Sequence, residues 1–160
     1  MARSSSSIRI TEAGPAHRGF IKRLSAEVFA RFGDYETLLP GQLGLPWIRT
    51  SIAEVAGEAA GFAMISLEDR AIGEVDLVAI AVDPRWQSHG VGRRLLGHVE
   101  DETRRLVRDR VAVVRLTVAL DNPRALDLFL RSGYVDAGDD PGFYPRGQRS
   151  KQMRKALGEG

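Results

Sequence analysis

Glu74-Val75-Asp76-Leu77-Val78-Ala79-Ile80-Ala81-Val82-Asp83-Pro84, followed by Gln87-Ser88-His89-Gly90-Val91-Gly92-Arg93-Arg94-Leu95-Leu96, is the stretch on which the reading of this chain turns. An apolar run meets Asp-Pro, crosses a loop with two glycines and enters a helical pattern, which spells strand, turn, helix. Such a loop aims several backbone N–H groups at one point by the positive end of a helix, and side-chain-free glycines let an anion approach closely. The stretch reads as a pyrophosphate cradle, against the plainer alternative of two glycines that merely shape a turn.

The glycine spacing decides which phosphate ligand is meant. A dinucleotide fingerprint needs a third glycine where Leu95 stands, and a P-loop needs a Gly-Lys-Ser/Thr end that is missing here. What remains, Q-x-x-G-x-G after an apolar strand and Asp-Pro, resembles the coenzyme A motif of the GNAT N-acetyltransferases. Downstream, strand Val113 to Leu120 leads to Asp121-Asn122-Pro123-Arg124-Ala125, then Leu128-Phe129, then Gly133-Tyr134. This is similar to that family's N-x-x-A-x-x-L-Y-x-x-x-G-F, in the family's order and at its separation. The resemblance covers the C-terminal half well and the N-terminal half by topology only, and it points to the branch acting on ribosomal proteins and peptide N-termini.

Composition agrees and narrows the chemistry. At 160 residues and 43% hydrophobic, the chain has the length for one globular domain with a substantial core. We expect a flexible polar tail over residues 1–7 and a single domain over 8–157. With no cysteine, disulfides, thiolate zinc sites and an acyl-cysteine intermediate are excluded, leaving direct transfer between two bound substrates. Charge is +2, from 23 basic and 21 acidic residues with the signs interspersed, so nucleic-acid binding is not indicated. The basic stretch Arg146 to Lys155 reads as a solvated strand and turn. No apolar run reaches membrane-spanning length and residues 1–7 lack a signal peptide's apolar core, so we expect a cytoplasmic protein without a membrane partner. His17 and His98 have no companion at metal-ligand spacing, and no metal is expected. A homodimer is left open.

Periodicity supplies the layout. Ile8 to Ile10 alternates as a first strand, and Pro15 opens a helix in which Phe20, Leu24, Val28 and Phe32 recur every four residues until Gly33. Tyr35 to Ile48 reads as a short helix and loops, and Ser51 to Val55 with Gly61 to Ser66 as a hairpin about Gly57-Glu58. Glu74 to Val82 is apolar on both faces, as a strand covered by helices on each side should be. Helix Val91 to Val107 carries Val91, Leu95, Val99 and Leu106 on one stripe. In Val113 to Leu120, Val114, Leu116, Val118 and Leu120 share one face while Arg115 and Thr117 share another that should meet a cleft. Asn122 and Pro123 start a helix burying Ala125, Leu128 and Phe129, Gly133 ends it, and Tyr134 to Ala137 with Lys151 to Leu157 close the sheet. The resemblance implies an α/β fold: one twisted mixed sheet of six to seven strands flanked by helices on both faces.

It also implies roles. Acetyl-CoA would lie in a gap between the strands starting near Glu74 and Val113, its pantetheine pairing with backbone around Ile80, Ala81 and Val82, and an N–H of Ala81 or Val82 would hold the oxyanion. Gln87, Ser88, His89, Gly90, Val91 and Gly92 would cradle the pyrophosphate through N–H groups, with Arg93 beside them. His89 stands where the family usually has Lys or Arg. Asn122 would hold the pantetheine or its thiol end, and Phe129 would border it. Asp76 has two readings. It is either a hydrogen-bonded structural carboxylate, since an unpartnered buried charge is costly, or the base that takes the proton of the acceptor amine. Thr117 occupies the family's other base position and cannot do that job. Phe129 replaces the tyrosine that protonates the departing thiolate in many members. Tyr144, in Phe143-Tyr144-Pro145 on a hairpin expected to be mobile, is then an acid or an acceptor-binding residue. Asp34, Tyr35 and Phe143 are the candidate acceptor contacts.

The function that follows is acetyl transfer from acetyl-CoA to a primary amine, of a small molecule or of a peptide. Two rivals stand beside it: a CoA-binding module with little activity, given Phe129 and Thr117, and an interaction protein in which the Gln87 to Gly92 turn is only structural.

Overall fold

The computed structural model describes residues 7–108 and 110–158, and of 139–143 the backbone alone. The tail expected over residues 1–7 thus lies, apart from Ser7, outside the described residues. Strands β1 (Ile8–Glu12), β2 (Ile48–Val55), β3 (Glu58–Ser66), β4 (Glu74–Val82), β5 (Ala112–Ala119), β6 (Val135–Phe143) and β7 (Arg149–Leu157) form one sheet in the order β1-β2-β3-β4-β5-β7-β6. Every pairing is antiparallel except β4 with β5. The helices are α1 (Arg18–Phe29), α2 (Tyr35–Gln42), α3 (Val91–Leu106) and α4 (Pro123–Arg131).

Two cores sandwich the sheet. On one face Val91, Leu95, Leu96 and Val99 of α3 and Phe129 of α4 pack with Val75, Leu77, Val114, Leu116 and Val118. On the other, Ile21 and Leu24 of α1 and Leu39 of α2 pack with Ile52, Phe62, Met64, Ala79 and Ala81. β4 feeds both, Val75 and Leu77 to the first core and Ala79 and Ala81 to the second, although all four are odd-numbered. The strand therefore changes faces, and the register shows where: Met64 pairs with Ala79 and the next residue, Ile65, with Leu77. Val78 is the extra residue of a β-bulge and is 42% exposed.

The first helix departs from expectation. Pro15–His17 forms a 3-10 turn, with the Gly14 N–H donating to His17 Nδ1 at 3.0 Å, and α1 ends at Phe29 rather than Gly33. A strict four-residue repeat drifts about 40° per step around a 3.6-residue helix. The buried stripe accordingly centres on Ile21, Leu24 and Ser25, while Phe20 is only half-buried. The β2–β3 hairpin turns through Ala56 (φ 52) and Gly57 (φ 81), whose left-handed pair matches the twist of the flanking strands. At the far edge β6 runs on to Phe143, well past Ala137, along an irregular pairing with β7. Leu120, placed on the buried face of its strand, is 41% exposed beyond the end of β5. The basic stretch is solvated in part only: Lys155 Nζ reaches Glu100 at 2.6 Å and Lys151 reaches Asp136 at 2.7 Å.

Candidate functional site

β4 and β5 pair at four rungs only, Glu74 with Val113 through Leu77 with Leu116. Beyond Leu77 they part, immediately before the bulge at Val78 bends β4 away. Past the fork β4 keeps β3 as its neighbour and β5 keeps β7, so each strand has one edge facing the gap. The Asp83 N–H donates to Ala60 O at 2.8 Å, and antiparallel amides alternate, so Ala79, Ala81 and Asp83 turn theirs to β3. Consistently, a Cβ built on Gly61 of β3 would lie 2.6 Å from Ala81 O. Ile80 and Val82 thus present their amides to the gap, where Val82 O accepts from Gln87 Nε2 at 3.3 Å. Of the two N–H groups named from the sequence, that of Ala81 turns to β3, and that of Val82 turns to the gap on the cradle side of the fork.

At the end of β4 a 3-10 turn (Pro84–Trp86) delivers the cradle. Asp83 starts it by accepting from Arg85 N at 3.1 Å; this carboxylate is 2% exposed. Burial works against its charge, but the backbone N–H and guanidinium of Arg85, with Arg23, outweigh burial and hold its pKa below the ordinary aspartate value. Ser88 (φ 67) and Gly90 (φ 83) are both left-handed, and Gly90 caps α3 without any side-chain hydrogen bond. The first bond inside the helix is Arg94 N to Gly90 O, which leaves the N–H groups of Val91, Gly92 and Arg93 without an intrahelical acceptor. A Cβ on Gly90 would meet nothing within 4 Å, and one on Gly92 would stand 3.4 Å from Leu128 of α4. Val91 offers only its N–H to the opening, its side chain being buried. His89 turns Nδ1 to Gln87 O at 2.9 Å and its ring edge-on to Trp86. The buried Trp86 Nε1 has no partner among the described residues. These unbonded donors about a glycine-lined opening fit a pyrophosphate.

α4 forms the opposite wall. Asn122 caps it, Oδ1 accepting from Ala125 N at 3.3 Å, so its Nδ2 is the end available to a ligand. Phe129 is 4% exposed, edge-on to Tyr134, and lines the gap with Ile80, Leu116 and Val118. Arg31 binds this cap to the opposite layer, its guanidinium donating to Asp121 Oδ2 at 3.0 Å and to Asp121 O at 3.1 Å.

The cavities trace one passage. A cavity of about 750 Å³ runs along the cradle and α4, a narrow one of about 100 Å³ occupies the fork, and one of about 800 Å³ opens on the far side. Tyr144 lines the narrow and the far cavities alike, and its hydroxyl donates to Thr117 O at 3.3 Å. The β6–β7 turn that carries it, expected to be mobile, is tied down: Gln148 Nε2 donates to Arg31 O at 2.6 Å, and the Tyr144 ring packs 5.1 Å from that of Phe32. Tyr35 stands edge-on to Tyr144 at 6.3 Å, and burial raises its hydroxyl pKa. Asp34 is exposed at the start of α2, outside the lining of these three cavities. The side chain of Phe143 lies outside the described residues.

On the floor of the far cavity, Asp76 is paired. Both its oxygens accept from Arg115, whose Nη1 also donates to Glu74 at 2.5 Å and whose Nη2 also reaches Asp69. The bonds to Asp76 and the three surrounding negative charges hold the guanidinium above even its usual range. Asp76 thus lines the far cavity with both oxygens engaged. Arg115 as a hub, and Asp69 with it, had no signal in the sequence, because the contact joins residues 46 positions apart. Among the described residues no group of three or more His, Cys, Asp or Glu is arranged to hold a metal ion, and no helix is long and apolar enough to cross a membrane.

Comparison with known proteins agrees with this geometry. The chain is 36% identical over 89 residues to the ribosomal protein bS18-alanine N-acetyltransferase of Escherichia coli, 56% of each protein. It is 34% identical over 109 residues to the N-alpha-acetyltransferase RimI of Mycobacterium tuberculosis, 67% of this chain and 65% of that protein. These matches span about half to two thirds of the relatives' length. In fold it is similar to Ard1 from Thermoplasma volcanium, with a TM-score of 0.80 at 24% identity over 95% of this chain and 99% of that one. The sequence profile described as Acetyltransferase (GNAT) family matches residues 16–134, three quarters of the chain, and with the forked sheet and its glycine cradle it establishes that this protein belongs to the GNAT acetyltransferase family.

Proposed function

We propose that the protein is an acetyl-CoA-dependent N-acetyltransferase that passes acetyl directly to a primary amine, with a peptide or a small molecule as acceptor. The observation that carries this is the fork: a passage crosses the sheet where β4 and β5 part, with a cradle of unbonded N–H groups at one mouth and a polar cavity at the other. In this reading the pyrophosphate would rest on the N–H groups from Ser88 to Gly92, that of Gln87 being taken by Pro84 O, with Arg93 beside it, and the pantetheine would run strand-like along Ile80 and Val82. Asn122 Nδ2 meets its amides, and Phe129 walls the gap. The thioester would then reach the neck, with Tyr144 near its sulfur and the oxyanion held by a gap-facing amide, of which that of Ile80 lines the fork and that of Val82 the cradle side. The amine enters past Tyr35 and Tyr144 from the far cavity, with Asp34 at its margin. Holding amine and thioester in contact supplies most of the rate, since effective molarities of ~10⁵ M and more are reached by orientation alone.

Calorimetry with acetyl-CoA tests the reading. Wild type should bind, and acetyl-CoA at about a hundred times its Kd should add about 2.7 kcal/mol of stability. Gly92→Glu should abolish binding, because a carboxylate in the cradle repels the pyrophosphate. Its fold should persist, since a Cβ there meets Leu128 at an ordinary 3.4 Å. Equal affinity in both proteins would remove the cofactor assignment.

A further inference from the structure

The neck where the narrow and far cavities join is lined by Tyr35, Leu77, Val78, Leu116, Thr117 and Tyr144. Among the described residues it holds no carboxylate and no imidazole. Next along the same face come Asp76 and Glu74, and both are committed to Arg115, Asp76 through both oxygens. For Asp76 to accept a proton it must give up charge-assisted hydrogen bonds to a guanidinium. Among the described residues a protein base at the point of reaction is therefore lacking, while an acceptor amine in neutral water is mostly an ammonium ion.

We propose, resting on the acetyltransferase reading, that the acceptor reacts only as the free amine that solution provides, and that the site consequently selects by basicity, favouring the less basic of two amines of similar shape. The proton count closes without a base. The nitrogen lone pair forms the N–C bond, the C–S bond breaks with its electron pair passing to sulfur, and the neutral amine loses one proton as the amide forms. The departing thiolate takes up one. Tyr144, whose hydroxyl stands on the neck, passes that proton from nitrogen to sulfur by giving its own and receiving the other.

The free-amine fraction sets the size of the effect. At pH 7.5 an α-amino group of pKa ~7.7–8.0 is about a quarter to two fifths neutral, whereas an alkylamine like that of lysine, pKa ~10.4, is about 0.1% neutral, a ratio on the order of 200. The test uses the full chain saturated with acetyl-CoA and two peptides identical except for their first residue, alanine in one and β-alanine in the other. One added methylene weakens the pull of the amide carbonyl and makes the second amine distinctly more basic than the first. kcat/KM is measured from pH 6 to pH 10.5. For each peptide we expect it to rise with pH and to level off at that peptide's own amine pKa, determined separately by titration, so the two midpoints separate by the difference between the two titrated values. Profiles flat between pH 6 and 8, or a midpoint shared by both peptides, overturn the proposal, because they report a protein base acting on bound ammonium. No transfer to the β-alanine peptide even at pH 10.5 also overturns it, in favour of selection by shape. Binding of acetyl-CoA with transfer to neither peptide overturns the acetyltransferase reading itself.

Discussion

Gly61 sits in β3 opposite Val82, and replacing it with alanine is the sharpest probe of how the sheet positions the fork. A Cβ at this position would lie 2.6 Å from the backbone oxygen of Ala81, 3.2 Å from Leu95 Cδ1 and 3.3 Å from Val91 Cγ1. The two side chains can yield, but the Ala81 oxygen moves only if β4 moves. Restoring an ordinary contact of 3.4 Å requires a displacement of about 0.8 Å. Overpacking of this kind costs about 1–3 kcal/mol, offset by ~0.5–1 kcal/mol because alanine suits a strand better than glycine. The net loss of about 0–2.5 kcal/mol should lower Tm by up to about 10 °C in a chain of this length. The functional loss should be larger, because Ala81 lies between the two residues whose amides face the gap, and a misplacement of ~1 Å costs about 100-fold in rate. Thermal unfolding, acetyl-CoA calorimetry and CoA release in steady state read the three effects. Gly97→Ala is the control: its Cβ meets nothing within 4 Å on α3, so it should stabilise by ~1 kcal/mol and leave turnover alone. If Gly61→Ala keeps Tm within about 1 °C and turnover within about twofold of wild type, the claim that this contact sets the position of β4 is wrong.

Tyr144→Phe should lower kcat by roughly tenfold or more with KM little changed, the signature of a group needed mainly in the transition state; a rise in KM alone would make Tyr144 an acceptor contact. Asp83→Asn should cost about 1–3 kcal/mol near pH 7, since it removes a buried carboxylate bonded to Arg85. Because the folded-state pKa of Asp83 is lowered, its contribution is complete above the unfolded value of ~3.9 and fades as pH falls through the folded one, so denaturant midpoints of mutant and wild type should approach one another as pH falls below the unfolded value. Parallel midpoints from pH 7 down to pH 2 would show that the carboxylate's charge does not matter there.

The parts of the site legible in the sequence are those written locally. From Glu74 to Leu106 strand, turn and helix follow one another without interruption, and the period of Val91, Leu95 and Val99 fixes which side of α3 is buried. The pairing of Arg115 and Thr117 on a face that meets a cleft was legible for the same reason, since strand alternation is a local rule. The bulge at Val78 was not, because valine is at home in any strand and the extra residue shows itself only against β3. Nor was the engagement of Asp76: alternation puts it on the cleft face, but its partner comes from a strand 39 residues away and shares its guanidinium with Glu74 and Asp69. Loop geometry was the least readable. The anchoring of Tyr144 depends on Gln148 reaching Arg31, 117 residues back, and nothing in Phe143-Tyr144-Pro145 encodes that distance.

The fork gives this sheet an edge in its middle. Strand edges normally lie at the rim of a sheet, where unpaired amides invite a further strand and natural proteins guard them. Here Ile80 and Val82 present such an edge indoors, screened by Phe29, Phe32 and Tyr144 on one side and Phe129 on the other. A pantetheine lying along them would complete the β-ladder as a non-peptide strand, so that loading the cofactor resembles a last step of folding as much as an act of recognition. Solvent exchange would register this directly: the amides of Ile80 and Val82, rapid for residues so deep in a domain, would become slow on loading, while those of Ala79 and Ala81, already bonded to β3, would scarcely change.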